Sequence, residues 1–359
     1  MISSPTFGEI SISSKVYFVA DIAANHDGSL DRAKKLIDLA AKSGASAAKF
    51  QHFRAERIVS ERGFGELGNK IAHQSSWEKS VTEVYKEAEL PWDWTDELIQ
   101  TCNDNGIDFF SAPYDLEAID YLAPIMPFFK VGSGDITWKQ SLEYMGQYGK
   151  PIFLATGASS IEEVKSAMEI LRRYPIEVVL MQCNTNYSMD NAKHTFSNIE
   201  VLNQYRNLFP NVVLGLSDHS KSNWSTLAAI ALGARVIEKH FTDDCERVGP
   251  DHAFSLNPQE WAEMVFQSSK MLEVLGDGEK KVEPNEIESR IVQRRALRYC
   301  RDMPSGHTIS LEDLVALRPI PLDGISPMDV DQIVGSQLNN SVGKDQLVRW
   351  EDFSNVIGQ

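Results

Sequence analysis

Eight short apolar runs recur along the first three quarters of this chain, and each ends in polar or charged residues before a stretch of different periodicity begins. The runs are residues 16–23, 47–51, 108–113, 128–133, 152–157, 178–183, 212–218 and 236–241. Nearly continuous apolar, β-branched composition marks strands buried on both faces, as in a parallel sheet. Between them lie helix-like stretches: Leu30, Ala33, Leu36, Ile37, Ala40 and Ala41 fall at helical spacing with Gly44 closing the segment, and residues 161–174 and 224–233 follow the same pattern. After the eighth run, residues 258–275 read as a helix with Asn257 as cap and Pro258 at its first position. Eight alternating units over residues 1–276 predict an α/β fold of the (β/α)8 TIM-barrel type rather than an open doubly wound sheet.

Two regions depart from the repeat. Residues 52–107 exceed one helix and a loop; Trp77, Val81, Val84, Tyr85 and Ala88 predict a helix within them, lying over the barrel mouth, and residues 63–68 read as mobile. Beyond Gly276 the chain turns strongly charged, so residues 277–296 read as a linker and residues 297–359, with their short turns and apolar pairs, as a small β-rich module.

With 51 acidic against 35 basic residues, a net charge of −16 argues against a nucleic-acid partner. No segment has the apolar length of a membrane span. The start Met1-Ile2-Ser3-Ser4-Pro5 lacks the basic and apolar parts of a signal peptide, so the expected compartment is the cytoplasm. Cys102, Cys183, Cys245 and Cys300 have no paired spacing and read as free thiols.

In such a barrel the C-terminal strand ends share one mouth, so polar residues there converge although they are far apart in sequence. These ends carry Asp21, Lys49, Gln51, Ser111, Lys130, Ser133, Asp135, Thr156, Ser217, His219, Glu238 and His240, with residues 184–187 beside them. Charged residues ending a buried run, as in Val236-Ile237-Glu238-Lys239-His240, are costly unless used. Lys49 and Lys130, helped by Ser133, Thr156 and Ser217, suit a small molecule bearing a phosphate and a carboxylate, and a strand lysine also admits Schiff-base chemistry. His219 and His240 can ligate a divalent metal through two imidazoles, leaving positions open; nitrogen and oxygen donors admit manganese, magnesium, cobalt or zinc. Asp21 and Asp135 are placed to move protons or hold sugar hydroxyls, or simply to pair with Lys49 and Lys130. Asp218 can support its neighbour His219 from behind. Asp251 joins from the last mouth loop, where His252 faces either solvent or substrate, as His26 does in the first.

Taken together, Ala20-Asp21-Ile22-Ala23-Ala24-Asn25-His26-Asp27-Gly28, Ala48-Lys49-Phe50-Gln51, Lys130-Val131-Gly132-Ser133-Gly134-Asp135-Ile136, Leu214-Gly215-Leu216-Ser217-Asp218-His219, Val236-Ile237-Glu238-Lys239-His240-Phe241-Thr242 and Gly249-Pro250-Asp251-His252 resemble the sialic acid synthase family. That family condenses phosphoenolpyruvate with acylated amino sugars to nine-carbon acids. The resemblance implies a barrel followed by an antifreeze-like SAF domain, and a domain-swapped homodimer in which Arg318 reaches the sugar's N-acyl group in the other subunit. It implies His219 and His240 as metal ligands, with manganese first and magnesium or cobalt as alternatives. Lys49, Lys130, Ser133 and Ser217 match phosphoenolpyruvate contacts, Tyr187 and Asp251 the sugar side, and Gln51, Ser111 and Thr156 are further substrate candidates. Asp21 and Asp135 stand where the family commonly has glutamate, and Cys183-Asn184-Thr185-Asn186-Tyr187 departs from its Thr-Ser-x-Tyr-Pro form. A barrel synthase acting on phosphorylated aldoses, of the octulosonate or heptulosonate phosphate type, is the alternative enzyme. A silent carbohydrate-binding relative is the alternative outside catalysis.

Overall fold

The computed structural model describes residues 2–67, 74, 77–186 and 195–354. The chain divides into two compact units, residues 1–276 and 277–359.

The first unit is the expected barrel. Its strands are β3 (Tyr17–Asp21), β4 (Ala47–His52), β5 (Asp108–Pro113), β6 (Phe129–Val131), β7 (Ile152–Ala155), β8 (Val178–Cys183), β9 (Val213–Asp218) and β10 (Val236–His240). They pair in parallel in the order β5-β4-β3-β10-β9-β8-β7-β6, and β5 and β6 lie side by side to bring the sheet nearly closed. Helix starts follow their caps: the Ser29 side chain accepts from Arg32 N, and Asn257 forms a reciprocal capping box with Glu260 before Pro258–Leu275.

Side chains alternate along each strand, and this alternation divides the barrel into levels. Near the N-terminal ends the interior is filled by rings: Phe128 stacks on Phe153 at 4.6 Å, and Phe110 and Tyr17 meet them edge-on at 5.0 and 6.1 Å. Each ring is fully buried and contributes roughly 2–3 kcal/mol. The charged side chains of the cavity stand above this apolar plug.

A hairpin unforeseen in the sequence, β1 (Ile2–Ser4) and β2 (Gly8–Ile10), joins the same end, with Ile2 and Ile10 buried in the core. It is fastened by Asp108, whose carboxylate accepts from Ser4 Oγ, from Thr6 N and Oγ1 at 3.1 and 2.8 Å, and from the Tyr17 hydroxyl at 2.6 Å.

Between β4 and β5 the described residues form Thr95–Asp104, which leads into β5, and ahead of it three further helices, Ala55–Ile58, Glu61–Glu66 and Val81–Ala88. The last begins at a Ser80–Glu83 capping box and carries the predicted apolar spacing. Gly63 and Gly65 lie within the second, begun by Ser60, whereas Gly68 is outside the described residues.

In the second unit, residues 277–296 include a 3-10 turn, Pro284–Glu286, and a seven-residue helix, Ile287–Gln293. The strands β11 (Ala296–Tyr299) and β12 (Leu314–Leu317) pair antiparallel, and isolated bridges such as Met303 to Val342 complete the fold. Its own core includes Leu297, Tyr299, Ile309, Ile325, Ile333 and Val348.

Candidate active site

Above the aromatic plug, a cavity of about 400 Å³ opens at the C-terminal ends of the barrel strands. Its floor is built from side chains that alternation turns inward: Asp21 from β3, Lys49 and Gln51 from β4, Ser217 from β9, and Glu238 and His240 from β10. Lys130 comes from β6, and Ser133 and Asp135 from the 3-10 turn that follows it.

Two lysines flank one glutamate at the centre. Lys49 Nζ lies 2.7 Å from Asp21 Oδ2 and 3.7 Å from Glu238 Oε1, and Lys130 Nζ is also 3.7 Å from Glu238 Oε1. Ser217 Oγ donates to that same oxygen at 3.1 Å. Both lysines are almost wholly buried, so each depends on these carboxylates to remain charged. Burial works against the Lys49 cation, but Asp21 and Glu238 outweigh it and hold its pKa above the ordinary value. For Lys130 burial wins, and the pKa falls although Glu238 opposes the fall.

The two histidines face each other across the end of the β9–β10 ladder, with ring centroids 5.3 Å apart. Burial lowers both pKa values to about 3, and a neighbour adds to each fall: His240 for His219, and the Lys49 cation for His240. Both rings are therefore neutral, the form that can donate a lone pair. His219 Nδ1 lies 2.9 Å from Asn184 O; a carbonyl only accepts, so the proton sits on Nδ1 and Nε2 carries the lone pair. His240 Nε2 is 3.5 Å from Asp21 Oδ2, and its Nδ1 is 3.8 Å from Asp251 Oδ2.

Negative charge is in surplus around them. Among the described residues, Asp21 Oδ1 and Glu238 Oε2 are buried without a hydrogen-bond partner. Burial raises the Asp251 pKa to about 7, with Asp21 adding to the effect, and raises that of Asp135 to about 6 against the pull of Lys130. Two neutral imidazoles, orphaned carboxylate oxygens and excess negative charge fit a divalent cation. Among the described residues no group of three or more His, Cys, Asp or Glu side chains forms a metal cage by itself.

The structure brings together Asp21, Lys49, Gln51, Lys130, Ser133, Asp135, Ser217, His219, His240 and Asp251. Ser111 and Thr156 are elsewhere. Ser111 points outward and meets His52 Nδ1 at 2.7 Å, and Thr156 donates to Met181 O and accepts from the Tyr205 hydroxyl, both at 2.9 Å. Their neighbours Ala112 and Ala155 have the inward parity, which is why two expected substrate contacts serve the wall. Tyr187 lies outside the described residues. Arg318 is exposed just after β12 in the second unit.

Glu238, which the sequence marks only as a charged strand end, is the central carboxylate; its two-residue offset from His240, which puts both on one face of β10, is the signal for it. The opposite wall is apolar and comes from the insertion and the segment before it: Phe53, Ile58, Trp77, Val84, Tyr85 and Ala88. Phe53 and Trp77 pack on Tyr85 with centroids 5.7 and 6.4 Å apart.

Comparison with known proteins accounts for both units. Residues 36–280 match the NeuB family, and residues 294–354 match the SAF domain. The chain belongs to the NeuB family. It is 33% identical to an N,N'-diacetyllegionaminic acid synthase of Campylobacter jejuni, over 93% of this chain and 99% of that protein. It is 30% identical to the human N-acetylneuraminate-9-phosphate synthase, over 94% of this chain and 93% of that one. Among solved structures, the N-acetylneuraminic acid (sialic acid) synthetase of Leptospira borgpetersenii in complex with citrate superposes with a TM-score of 0.67 at 28% identity, over 77% of this chain and 90% of its own. Within the NeuB match lie Lys49, Lys130, His219, Glu238 and His240, all on strands or strand ends of the barrel. No helix among the described residues is long and apolar enough to cross a membrane.

Proposed function

We propose that this NeuB-family enzyme condenses phosphoenolpyruvate with the open-chain aldehyde of an N-acylated hexosamine, N-acetylmannosamine or a related acetamido sugar. The product is a nine-carbon 2-keto-3-deoxy acid of the sialic, legionaminic or pseudaminic type. The observation that carries the reading is the pair of buried lysines around Glu238, facing a cavity that also holds two neutral histidines. A buried double cation suits a small molecule with both a phosphate and a carboxylate.

In the reaction a bond forms between C3 of phosphoenolpyruvate and the aldehyde carbon, water adds at C2, and phosphate departs with the enol oxygen. The aldehyde oxygen takes up a proton. Lys49 and Lys130 bind and offset the donor's negative charge, with Ser133 and Ser217 as neutral hydrogen-bond donors. Glu238 keeps the two lysines apart and charged. Asp21, Asp135 and Asp251 hold the acceptor's hydroxyls or move protons, and Asp251, titrating at about 7, can give or take one near neutral pH. Gln51 is a further polar contact. A divalent cation on His219 and His240, manganese first with magnesium or cobalt as alternatives, would orient and polarise the aldehyde oxygen. In a domain-swapped homodimer, Arg318 of one subunit would reach the N-acyl group bound in the other.

The test is incubation with phosphoenolpyruvate, Mn²⁺ and a panel of free and phosphorylated acetamido sugars, following phosphate release and the mass of the keto acid. Phosphate and product in equal amounts are expected with at least one sugar. A folded, metal-supplied protein that releases no phosphate with any of them would refute the proposal.

A further inference from the structure

Directly behind the two histidines, on the outer face of the same two strands, lies a second pair of charges that faces away from the cavity. Asp218 precedes His219, and Lys239 precedes His240, and the two are partners in the β9–β10 register. Lys239 Nζ meets Asp218 Oδ2 at 2.6 Å, with the lysine 1% and the aspartate 8% exposed. Neither charge reaches substrate from there. A buried ion pair is rarely worth its desolvation in stability alone, so its presence asks for another reason.

Its hydrogen bonds supply one. Asp218 Oδ1 accepts from Ser220 N at 3.0 Å, and Oδ2 accepts from the Ser220 hydroxyl at 3.0 Å and from the Ser225 hydroxyl. Lys239 also donates to Ser222 O at 3.0 Å. The segment leaving β9 is thereby drawn onto the back of β10, across the point where His219 and His240 emerge. Each histidine is one peptide away from a member of the pair, so a shift between Asp218 and Lys239 becomes a shift between the imidazoles.

We infer that Asp218 and Lys239 are positioning residues: a buried charge clamp that fixes the spacing of His219 and His240 and so sets the affinity of this site for a divalent cation. The inference rests on the metal reading above. The lysines of the floor sit on β4 and β6, off the two strands that carry the clamp, so the clamp is read on Mn²⁺ binding itself.

The test replaces both charges at once, Asp218→Asn with Lys239→Met, since removing one alone strands the other in the interior. Mn²⁺ affinity is measured directly by paramagnetic resonance of the free ion, alongside thermal unfolding and steady-state kinetics. Expected is a folded protein whose Mn²⁺ dissociation constant rises about 10–100-fold, with kcat lowered. An unchanged Mn²⁺ affinity in the folded double variant overturns the inference. If that variant fails to fold, Ser225→Ala removes one hydroxyl from Asp218 and leaves the pair intact; a several-fold weaker Mn²⁺ supports the clamp, and an unchanged value overturns it. His240→Ala separates the two levels: it should lose Mn²⁺ outright, and retention there would remove the metal reading and the clamp with it.

Discussion

Replacing Asp135 with Asn should make this enzyme more stable while making it worse. The carboxyl titrates at about 6 rather than 3.8 because it is desolvated at the cavity floor, and the Lys130 cation only partly corrects this. At roughly 1.4 kcal/mol per tenfold change, its charged form is disfavoured in the fold by about 3 kcal/mol. Screening through the open cavity reduces the realised cost to about 1–3 kcal/mol. Between roughly pH 4 and pH 6 the folded barrel binds a proton that the unfolded chain has released, so stability falls as pH rises through that interval and stays depressed above it. Asn has the same size and no charge to desolvate. Its gain should be near zero at about pH 4 and complete at about pH 7.5, where it corresponds to a rise of roughly 2–8 °C in Tm for a unit of this length. Paired calorimetric scans of parent and D135N at the two pH values measure the difference, in which the other carboxylates cancel. An equal gain at both values, or none at the higher, would refute the reasoning that Asp135 is held charged against its surroundings. Turnover of the variant at pH 7.5 should fall, because the proposed reaction uses the carboxylate that is lost.

Lys49→Met should lower kcat/KM for phosphoenolpyruvate by roughly 10²–10³-fold, since it removes a cation of the floor and leaves Asp21 and Glu238 without the charge between them; phosphate release reads this, and an unchanged value would remove Lys49 from the site. Asp108→Ala should cost about 2–4 kcal/mol, because it releases the amino-terminal hairpin and leaves the buried Tyr17 hydroxyl without its acceptor. Its kcat at 25 °C should be unchanged, since Asp108 begins β5 at the end opposite the cavity; lost turnover without a lower Tm would contradict that division.

The eight apolar runs made the barrel legible because parallel strands buried on both faces leave an unmistakable composition, and the helix over Pro258–Leu275 was readable to the residue from its cap and proline. Side-chain parity was the finer signal that strand ends alone miss. Lys49 with Gln51 and Glu238 with His240 share the inward face, whereas Ser111 and Thr156 fall one residue out of step and serve the wall. The helix Val81–Ala88 was visible as a pattern, but its apolar side becoming a cavity wall depends on where the insertion docks, which no local periodicity encodes. The hairpin of Ile2–Ser4 and Gly8–Ile10 was lost for a different reason: three-residue strands are too short to show a period.

The contrast between the polar floor and the apolar wall from the insertion has an evolutionary consequence. In the proposed reaction the two lysines that grip the donor stand on barrel strands, whose backbone also closes the ladder. Val84, Tyr85 and Ala88 stand on a helix outside the sheet, where exchange of residues, or of the whole segment, leaves the barrel ladder intact. The shape of the apolar wall can therefore drift between descendants while the polar floor is kept, and an engineer seeking to reshape the cavity would begin by grafting that helix.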